Sequence, residues 1–421
     1  MELVNSGYTW KMDPISIYLH IPFCKHRCGY CDFNTYAGLD NLIPEYVDAL
    51  VDEIVFFAAH KSQKLNAHTI VFFAAFFFSS RRRHTRFFGG GTPSLLTISQ
   101  IEKIMNAIGD SFNLTADMEV SLEANPGTVD FEYFSNIRSM GINRLSMGVQ
   151  SANSIELKIL ERQHGYSDAI LAMEEARRAG FENISLDLIF GLPNQVLADW
   201  KENLIKAFSL TPDHISLYSL TVEKGTPLEK QVKNGIYPYP DDDVAADMYE
   251  WTMDFLGENG FAHYEISNWA KISGGGEINL SRHNLQYWKN KPYIGFGAGA
   301  HSSIGGYRFS NILTPRKYIN QMSEMKPNKF PRTPTSIEVQ LIDKEVAMNE
   351  TMMMGLRLLQ QGVAKNDFKI RFGQDLEETF KDEIRELLKK ELLKWGGDSN
   401  QTLLLTKRGR VLGNQVFMKF V

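Results

Sequence analysis

The sequence predicts an α/β fold in which short parallel strands alternate with longer helices to form a partial barrel. Six apolar runs of strand length recur between residues 15 and 300, and several are nearly continuous, as is typical of strands covered on both faces. Helical patterns separate these runs. Polar residues interrupt or end several of them, at the strand ends where parallel barrels carry their chemistry. We therefore expect a partial (β/α)6 TIM-like barrel.

The predicted strands are the segments 16–22, 69–73, 119–126, 144–150, 184–193 and 214–223. A Pro- and Lys-rich stretch at 325–336 predicts a linker. Beyond it, two helical patterns and a hairpin-like tail at 403–421 predict a small winged-helix-like domain. We thus divide the chain into a lead at 1–14, a barrel with its extension at 15–325, and a C-terminal domain at 335–421.

The composition excludes several classes of protein. The 421 residues are 43% hydrophobic with a net charge of −5, which allows a large core and gives no sign of a nucleic-acid partner. The longest apolar run has nine residues, well short of the roughly 20 that span a bilayer. The first 14 residues lack the apolar stretch of a signal peptide. With three clustered cysteines, we expect a reducing, cytoplasmic setting.

All three cysteines lie in one loop after the first predicted strand, as Cys24-x3-Cys28-x2-Cys31. This spacing predicts a metal site. Zinc needs four ligands, usually in two separated pairs, so His20 or His26 would have to supply the fourth. Three thiolates fit an iron–sulfur cube more naturally, because one iron then keeps an open coordination position.

Polar residues in the apolar runs indicate a second part of this site. Glu123, Gln150 and Asp187 each lie within or at the end of a predicted strand. A carboxylate inside an apolar strand needs a partner, a ligand or a structural role. One such residue would indicate a salt bridge, whereas three in matching positions indicate a site.

The cysteine spacing resembles the signature of the radical SAM enzymes, in which the open iron binds S-adenosylmethionine. The string GGGTPS at 89–94 resembles the glycine-rich loop of that family. The strings YLHIPFC, SLEANP, SMGVQS, LDLIFGLP and YEISNWA resemble its coproporphyrinogen III oxidase-like branch. The resemblance implies a radical SAM barrel with a [4Fe-4S] cluster held by Cys24, Cys28 and Cys31.

The same resemblance implies which residues contact S-adenosylmethionine. These residues are Tyr18, Tyr30, Gly90, Gly91, Thr92, Glu123, Gln150, Arg162, Asp187, Thr221 and His301.

Two functions occur on the scaffold that the sequence resembles. Oxygen-independent coproporphyrinogen III oxidases carry an additional cysteine two positions after the triad, where this chain has Phe33. HemW-type heme chaperones carry an H-N-x-x-Y-W motif, and this chain has HNLQYW. The motif residues are His283, Asn284, Tyr287 and Trp288.

The motif favours heme binding. A neutral imidazole is a common ligand of heme iron, so His283 is the expected ligand. Arg282, Lys289 and Lys291 are expected to pair with the propionates. We therefore expect a heme chaperone with heme-accepting protein partners, including membrane-associated ones. The alternatives are the oxidase and a metal-binding interaction module without catalysis.

One segment departs from the resemblance. The family pattern predicts a strand that runs straight into the glycine loop as TIVFFGGGTPS, and removing the fifteen residues 72–86 restores this string. We expect that residues 72–86 are a non-native insertion. The alternative is a basic loop that uses Arg81, Arg82, Arg83 and Arg86 to bind propionates or acidic lipid.

Overall fold

A computed structural model of the chain describes residues 14–60, 63–73, 91–325, 328 and 330–421. Residues 1–13 of the predicted lead, residues 74–86 of the predicted insertion, and Gly90 lie outside the described residues.

The described strands, in chain order, are β1 (Ile15–His20), β2 (Phe23–Cys24), β3 (Tyr36–Ala37), β4 (Asn66–Phe73), β5 (Asn113–Ala124), β6 (Arg144–Gln150), β7 (Ile184–Phe190), β8 (His214–Ser219), β9 (Phe261–Glu265), β10 (Asn268–Lys271), β11 (Tyr293–Phe296), β12 (His301–Ile304), β13 (Tyr307–Asn311), β14 (Ser336–Leu341), β15 (Val363–Ala364), β16 (Leu393–Gly396) and β17 (Thr402–Leu405).

The described α-helices are α1 (Ile43–Ala59), α2 (Ile98–Ser111), α3 (Phe131–Ser139), α4 (Ser154–Ile159), α5 (Tyr166–Arg178), α6 (Leu197–Ser209), α7 (Pro227–Lys233), α8 (Asp242–Glu258), α9 (Arg282–Trp288), α10 (Pro315–Glu324), α11 (Lys344–Gly355), α12 (Lys365–Phe372), α13 (Leu376–Thr379), α14 (Lys381–Lys389), α15 (Lys407–Val411) and α16 (Gly413–Phe417). None of these described helices combines the length and the apolarity that crossing a membrane requires.

Six parallel strands form the centre of the fold. β1, β4, β5, β6, β7 and β8 are neighbours in that order, which confirms the predicted (β/α)6 arrangement. The sheet continues past β8 with antiparallel β10 and β9. On the other side β11 pairs parallel with β1 and is followed by antiparallel β12, β13 and β14. The apolar runs did not identify the strands of this predicted extension, which complete a twelve-stranded sheet.

The two faces of the barrel strands differ in chemistry. On the outer face, apolar residues such as Leu19 and Leu188 belong to one large core together with residues of the helices. On the inner face, polar side chains contact one another across strands. Ser16 Oγ lies 2.5 Å from Thr69 Oγ1, and Ser185 Oγ lies 2.8 Å from His214 Nδ1. The interior of the barrel is therefore polar, and its buried groups depend on one another for hydrogen bonds.

The C-terminal domain has an apolar core of its own. Its elements follow the order α11, β15, α12, α13, α14, β16, β17, with an antiparallel sheet β15-β17-β16, as expected for a winged-helix-like domain. The predicted hairpin-like tail is wrong after Leu405, because α15 and α16 follow β17. Thr406 Oγ1 accepts a hydrogen bond from the Gly409 amide, so the KRGR string opens a helix and does not form a hairpin tip.

Glu53 of α1 ties the barrel to the sheet extension. Its side chain is fully buried, and its carboxylate oxygens accept five hydrogen bonds of 2.6 to 2.8 Å. The donors are the Gly297 amide and the side chains of Asn311, Tyr318, Thr333 and Thr335. Burial raises the pKa of Glu53, and the hydrogen bonds oppose that rise by stabilising the carboxylate.

Glu53→Gln is expected to destabilise the protein by about 3 kcal/mol, because an amide NH2 group would face donors and leave a buried N–H without an acceptor. Chemical denaturation followed by circular dichroism measures this loss. Glu45→Gln, an exposed position in the same helix, is the matched control and should stay within about 0.5 kcal/mol of the parent. Equal stability of the two variants would contradict the role given to Glu53.

Phe73 precedes residues 74–90 and Gly91 follows them, and both contact neighbouring residues at the end of the first strand. Phe73 pairs with His20, and the Gly91 amide donates to the Ile21 carbonyl at 2.7 Å. Removal of residues 72–86 puts Phe87 and Phe88 in the sequence positions of Phe72 and Phe73, with Gly89 and Gly90 directly before Gly91. His20 and Ile21 are consecutive, so Phe73 and Gly91 lie as they would if β4 led directly into the glycine loop.

Deleting Phe72–Arg86 is therefore expected to raise the melting temperature and the iron content after anaerobic reconstitution. The reason is that no insert would then separate β4 from the glycine loop. A full-length variant with Ser at Arg81, Arg82, Arg83 and Arg86 serves as the control, since it removes the charges and keeps the segment. A deletion variant that melts below the parent would show that the segment belongs to the native fold.

Candidate functional site

The cysteine loop is closed at its base by backbone hydrogen bonds. Cys24 ends β2, which pairs with β3 beyond the loop, and the Tyr36 amide donates to the Pro22 carbonyl at 2.7 Å. Within the loop the Cys31 amide donates to the Cys28 carbonyl at 3.1 Å. The loop therefore leaves the carboxyl end of β1 and returns to it, which places the three cysteines above the barrel.

Each thiol has a polar neighbour. Thr92 Oγ1 donates to Cys24 Sγ at 3.7 Å, and Arg162 Nη1 donates to Cys28 Sγ at 3.4 Å. Cys31 Sγ lies 3.9 Å from Thr35 Oγ1. Burial raises the pKa of Cys24 to about 12 and also raises the pKa of Cys31. A bound metal ion supplies the positive charge that converts such thiols to thiolates.

The glycine-rich loop continues the barrel ladder past the end of β1. The Gly91 and Thr92 amides donate to the Ile21 and Phe23 carbonyls, both at 2.7 Å. A Cβ atom on Gly91 would lie 2.2 Å from the Phe23 carbonyl oxygen, so only glycine permits this approach. Gly90, the other predicted glycine, lies outside the described residues.

A cavity of about 240 Å³ at the carboxyl ends of the strands brings most of the predicted residues together. Its lining includes Cys24, Cys28, Cys31, Tyr30, Gly91, Thr92, Glu123, Gln150, Arg162, Asp187 and Thr221. Gln150 ends β6 with a φ of 68°, an unusual conformation for a residue with a side chain, and such strain concentrates at functional sites. Arg162 Nη2 donates to the Gly148 carbonyl at 2.8 Å, which fixes the guanidinium beside the cysteine loop.

Two of the predicted contacts lie outside this cavity. Tyr18 is buried inside the barrel, where its hydroxyl lies 2.8 Å from His20 Nδ1 and its ring packs with Val71 and Ala300. His301 opens β12, and burial lowers its pKa to about 4. Neither side chain is part of the cavity lining.

The cavity also has lining residues that sequence reasoning missed, among them Thr35, Asn125, His164 and Tyr218. His164 Nδ1 lies 3.3 Å from Arg162 Nη2, and its Nε2 lies 3.3 Å from the Val149 carbonyl. Asn125 and Tyr218 fall within the predicted strand segments, so their strand-end positions were the available signal. Thr35 and His164 lie in loops and gave no comparable signal.

Among the described residues, no three His, Cys, Asp or Glu side chains are placed closely enough to hold a single metal ion. The three thiols are free, with no disulfide between them.

The HNLQYW motif lies at the opposite end of the barrel. It forms α9, and the amides of Arg282 and His283 both donate to the Glu119 carboxylate at 3.0 Å. His283 is buried, with Nδ1 2.9 Å from Thr69 Oγ1 and Nε2 2.8 Å from the Tyr287 hydroxyl. Burial lowers the pKa of His283 to about 3, so the ring is neutral. Both ring nitrogens are therefore engaged inside the protein.

The remaining motif residues follow the same helix. Asn284 is 7% exposed and lines a small cavity in the barrel interior. Trp288 is 4% exposed and packs with Leu285 and Tyr264. The helix thus closes the amino-terminal end of the barrel, away from the cysteine loop.

The fold and the three-cysteine site define a radical SAM protein. The Radical SAM superfamily model matches residues 18–205, and the HemN C-terminal domain model matches residues 342–412. A solved structure of coproporphyrinogen III oxidase (HemN) from Escherichia coli aligns with a TM-score of 0.77 at 22% identity, covering 97% of this chain and 90% of that one.

Similar proteins identify the family within the radical SAM class. The chain is 37% identical to the heme chaperone HemW of Bacillus subtilis over 407 residues, which covers 96% of this chain and 99% of that protein. It is 35% identical to the mitochondrial radical S-adenosyl methionine domain-containing protein 1 of Bos taurus over 349 residues, which covers 81% of this chain and 74% of that one. The chain belongs to the HemW family.

The donor set fits the cofactors of the radical SAM superfamily, a [4Fe-4S] cluster and S-adenosylmethionine. Three free thiols face one cavity, and that cavity also presents carboxylate, amide and guanidinium groups. Such a cluster, when bound, would supply electrons to the cavity beside it. The chain's own groups close the cysteine loop, hold the Arg162 guanidinium beside Cys28, and form the wall of the cavity.

Asp187 predicts a pH dependence of stability. Burial raises its pKa to about 6, while Ser146 Oγ donates to both carboxylate oxygens at 2.9 and 3.1 Å. Because the folded pKa exceeds the unfolded value of about 3.9, the protonated side chain stabilises the fold at pH 4. That contribution is lost as the pH rises through about 6.

Asp187→Asn should therefore gain stability relative to the parent between pH 4 and pH 7, by about 2 to 3 kcal/mol. Denaturant unfolding of cofactor-free protein across this range gives the difference. Asp52→Asn, at an exposed position, is the control and should run parallel to the parent. A pH-independent difference for Asp187→Asn would contradict the raised pKa.

Proposed function

We propose that this protein binds heme and transfers it to acceptor proteins in a reducing, cytoplasmic setting. The observation that carries the proposal is the full-length similarity to proteins named heme chaperone HemW, at 37% identity over 96% of this chain. The proposal includes membrane-associated acceptors and no nucleic acid.

In this proposal Cys24, Cys28 and Cys31 hold the cluster. The residues proposed to contact S-adenosylmethionine are Tyr30, Gly91, Thr92, Glu123, Gln150, Arg162, Asp187 and Thr221, which share the cavity with the cysteines. Gly90, Tyr18 and His301 complete the proposed set; Gly90 lies outside the described residues, and Tyr18 and His301 are not part of the cavity lining.

The oxidase alternative has less support. Phe33 lines the cavity at the position where the oxidases carry an additional cysteine. An aromatic ring supplies neither a thiol for electron transfer nor a metal ligand. The likeness to the solved oxidase, at 22% identity, concerns the fold alone. A metal-binding module without catalysis is the remaining alternative.

His283 remains the proposed iron ligand, but both of its ring nitrogens are occupied by hydrogen bonds in this structure. To bind iron, the ring must exchange one of its hydrogen bonds, to Thr69 or to Tyr287, for the metal. Ligation by His283 therefore requires α9 to move relative to the barrel, or Tyr287 to turn away from Nε2.

A hemin titration of anaerobically reconstituted protein is the direct test, followed by transfer to an apoprotein such as apomyoglobin. We expect saturable binding, onward transfer, and no decarboxylation of coproporphyrinogen III. In His283→Ala the Soret band of bound hemin should shift, because an axial ligand is lost. Hemin that binds without saturation, or efficient decarboxylation, would sink the chaperone assignment.

A further inference from the structure

A groove of about 530 Å³ separates the end of α9 from the C-terminal domain. One wall is the segment from Trp288 to Pro292, which leads from the HNLQYW helix into β11. The other wall comes from α11, α12 and the turn between them. Its volume lies in the range of small-molecule sites, about 300 to 1,000 Å³. It lies at the amino-terminal end of the barrel, because the Pro292 carbonyl accepts from the Ser16 amide at the start of β1.

The groove presents apolar surface to solvent. Ile370 at its edge is 63% exposed, while Trp288 and Phe368 line the groove with only 4% and 2% of their surface exposed. Exposed aliphatic surface beside a groove lined by aromatic residues is typical of a binding site. A flat apolar ligand would cover this surface.

The charges of the groove complement a dianion. Its lining holds three cations, Lys289, Lys291 and Arg371, and one carboxylate, Asp367, which leaves a net charge of +2. Arg371 is held at the wall by hydrogen bonds to the Lys289 carbonyl at 3.3 Å and the Asn290 carbonyl at 2.8 Å. Burial and the neighbouring Lys291 lower the pKa of Lys289, so this ammonium group gains from a bound anion.

The groove offers no usual ligand for heme iron. Among the described residues that line it there is no histidine, cysteine, methionine or tyrosine. His283 is five positions before Trp288, about 140° around the helix, and its ring is bonded to Thr69 and Tyr287 in the interior.

We propose that this groove is where the tetrapyrrole first docks, and that it recognises the macrocycle and the two propionates without ligating iron, before His283 is engaged. The inference rests on the proposed function and deepens it. It predicts that the protein does not distinguish heme from the metal-free ring at this step. The propionates would face Lys289, Lys291 and Arg371, and the ring would cover Ile370.

The test is a titration of cluster-loaded, full-length protein with metal-free protoporphyrin IX, followed by porphyrin fluorescence, and a competition with hemin. We expect metal-free protoporphyrin to bind saturably and to compete with hemin, and the two dissociation constants to lie within about threefold of each other in His283→Ala, where iron ligation is removed. Ile370→Asp and Lys289→Glu should weaken porphyrin binding at least tenfold. Ile236→Asp, a position equally exposed at 63% and outside the groove, and Lys317→Glu, on the exposed side of α10, should leave it unchanged.

The results of this test distinguish failure of the groove as a docking site from failure of the proposed chaperone function. Hemin that binds and is passed on while metal-free protoporphyrin neither binds nor competes would overturn the groove and leave the chaperone function standing. Binding of neither compound would overturn both. Porphyrin binding that is lost in His283→Ala and unchanged in Ile370→Asp would also overturn the groove. Because Ile370 is exposed, its variant should fold, and cluster absorbance verifies this.

Discussion

The cavity lined by the three cysteines depends on one contact. This contact is the continuation of the β1–β4 hydrogen-bond ladder into the glycine loop. Two backbone hydrogen bonds of 2.7 Å join Gly91 and Thr92 to the carbonyls of Ile21 and Phe23. They bring the glycine loop against the cysteine loop and place the Thr92 hydroxyl beside Cys24. The site exists because the two loops continue neighbouring parallel strands, whose carboxyl ends meet at one edge of the sheet.

The polar interior below that site explains why α9 closes the barrel where it does. The inner face of the strands carries hydroxyl, imidazole and carboxylate groups that cost free energy when they are buried without a partner. At the amino-terminal end, Glu119 accepts two amides of α9 and Thr69 contacts His283, so the helix satisfies groups that the strands leave open. The HNLQYW motif therefore has a structural task in addition to the proposed interaction with heme.

Local patterns predicted the elements, and they did not predict the contacts between distant segments. The apolar runs identified the six parallel strands, and residues at strand ends such as Glu123 and Asp187 could be assigned to the cavity because parallel strands share one edge. The hydrogen bond between Glu119 and His283 joins positions 164 apart, and no periodicity reveals such a pairing. The tail after Leu405 was mistaken for a hairpin because its helices are only five residues each. The groove combines side chains of two domains, so no single segment of the sequence carries its pattern.

In the proposed function, one barrel separates two chemistries, with the cluster at the carboxyl ends of the strands and the tetrapyrrole at the other end. Anomalous diffraction at the iron edge, from crystals of reconstituted protein with hemin bound, would locate both kinds of iron. We expect cluster iron beside Cys24, Cys28 and Cys31 and a separate heme iron next to α9, at the amino-terminal end of the barrel. Heme iron inside the cysteine cavity would contradict this separation.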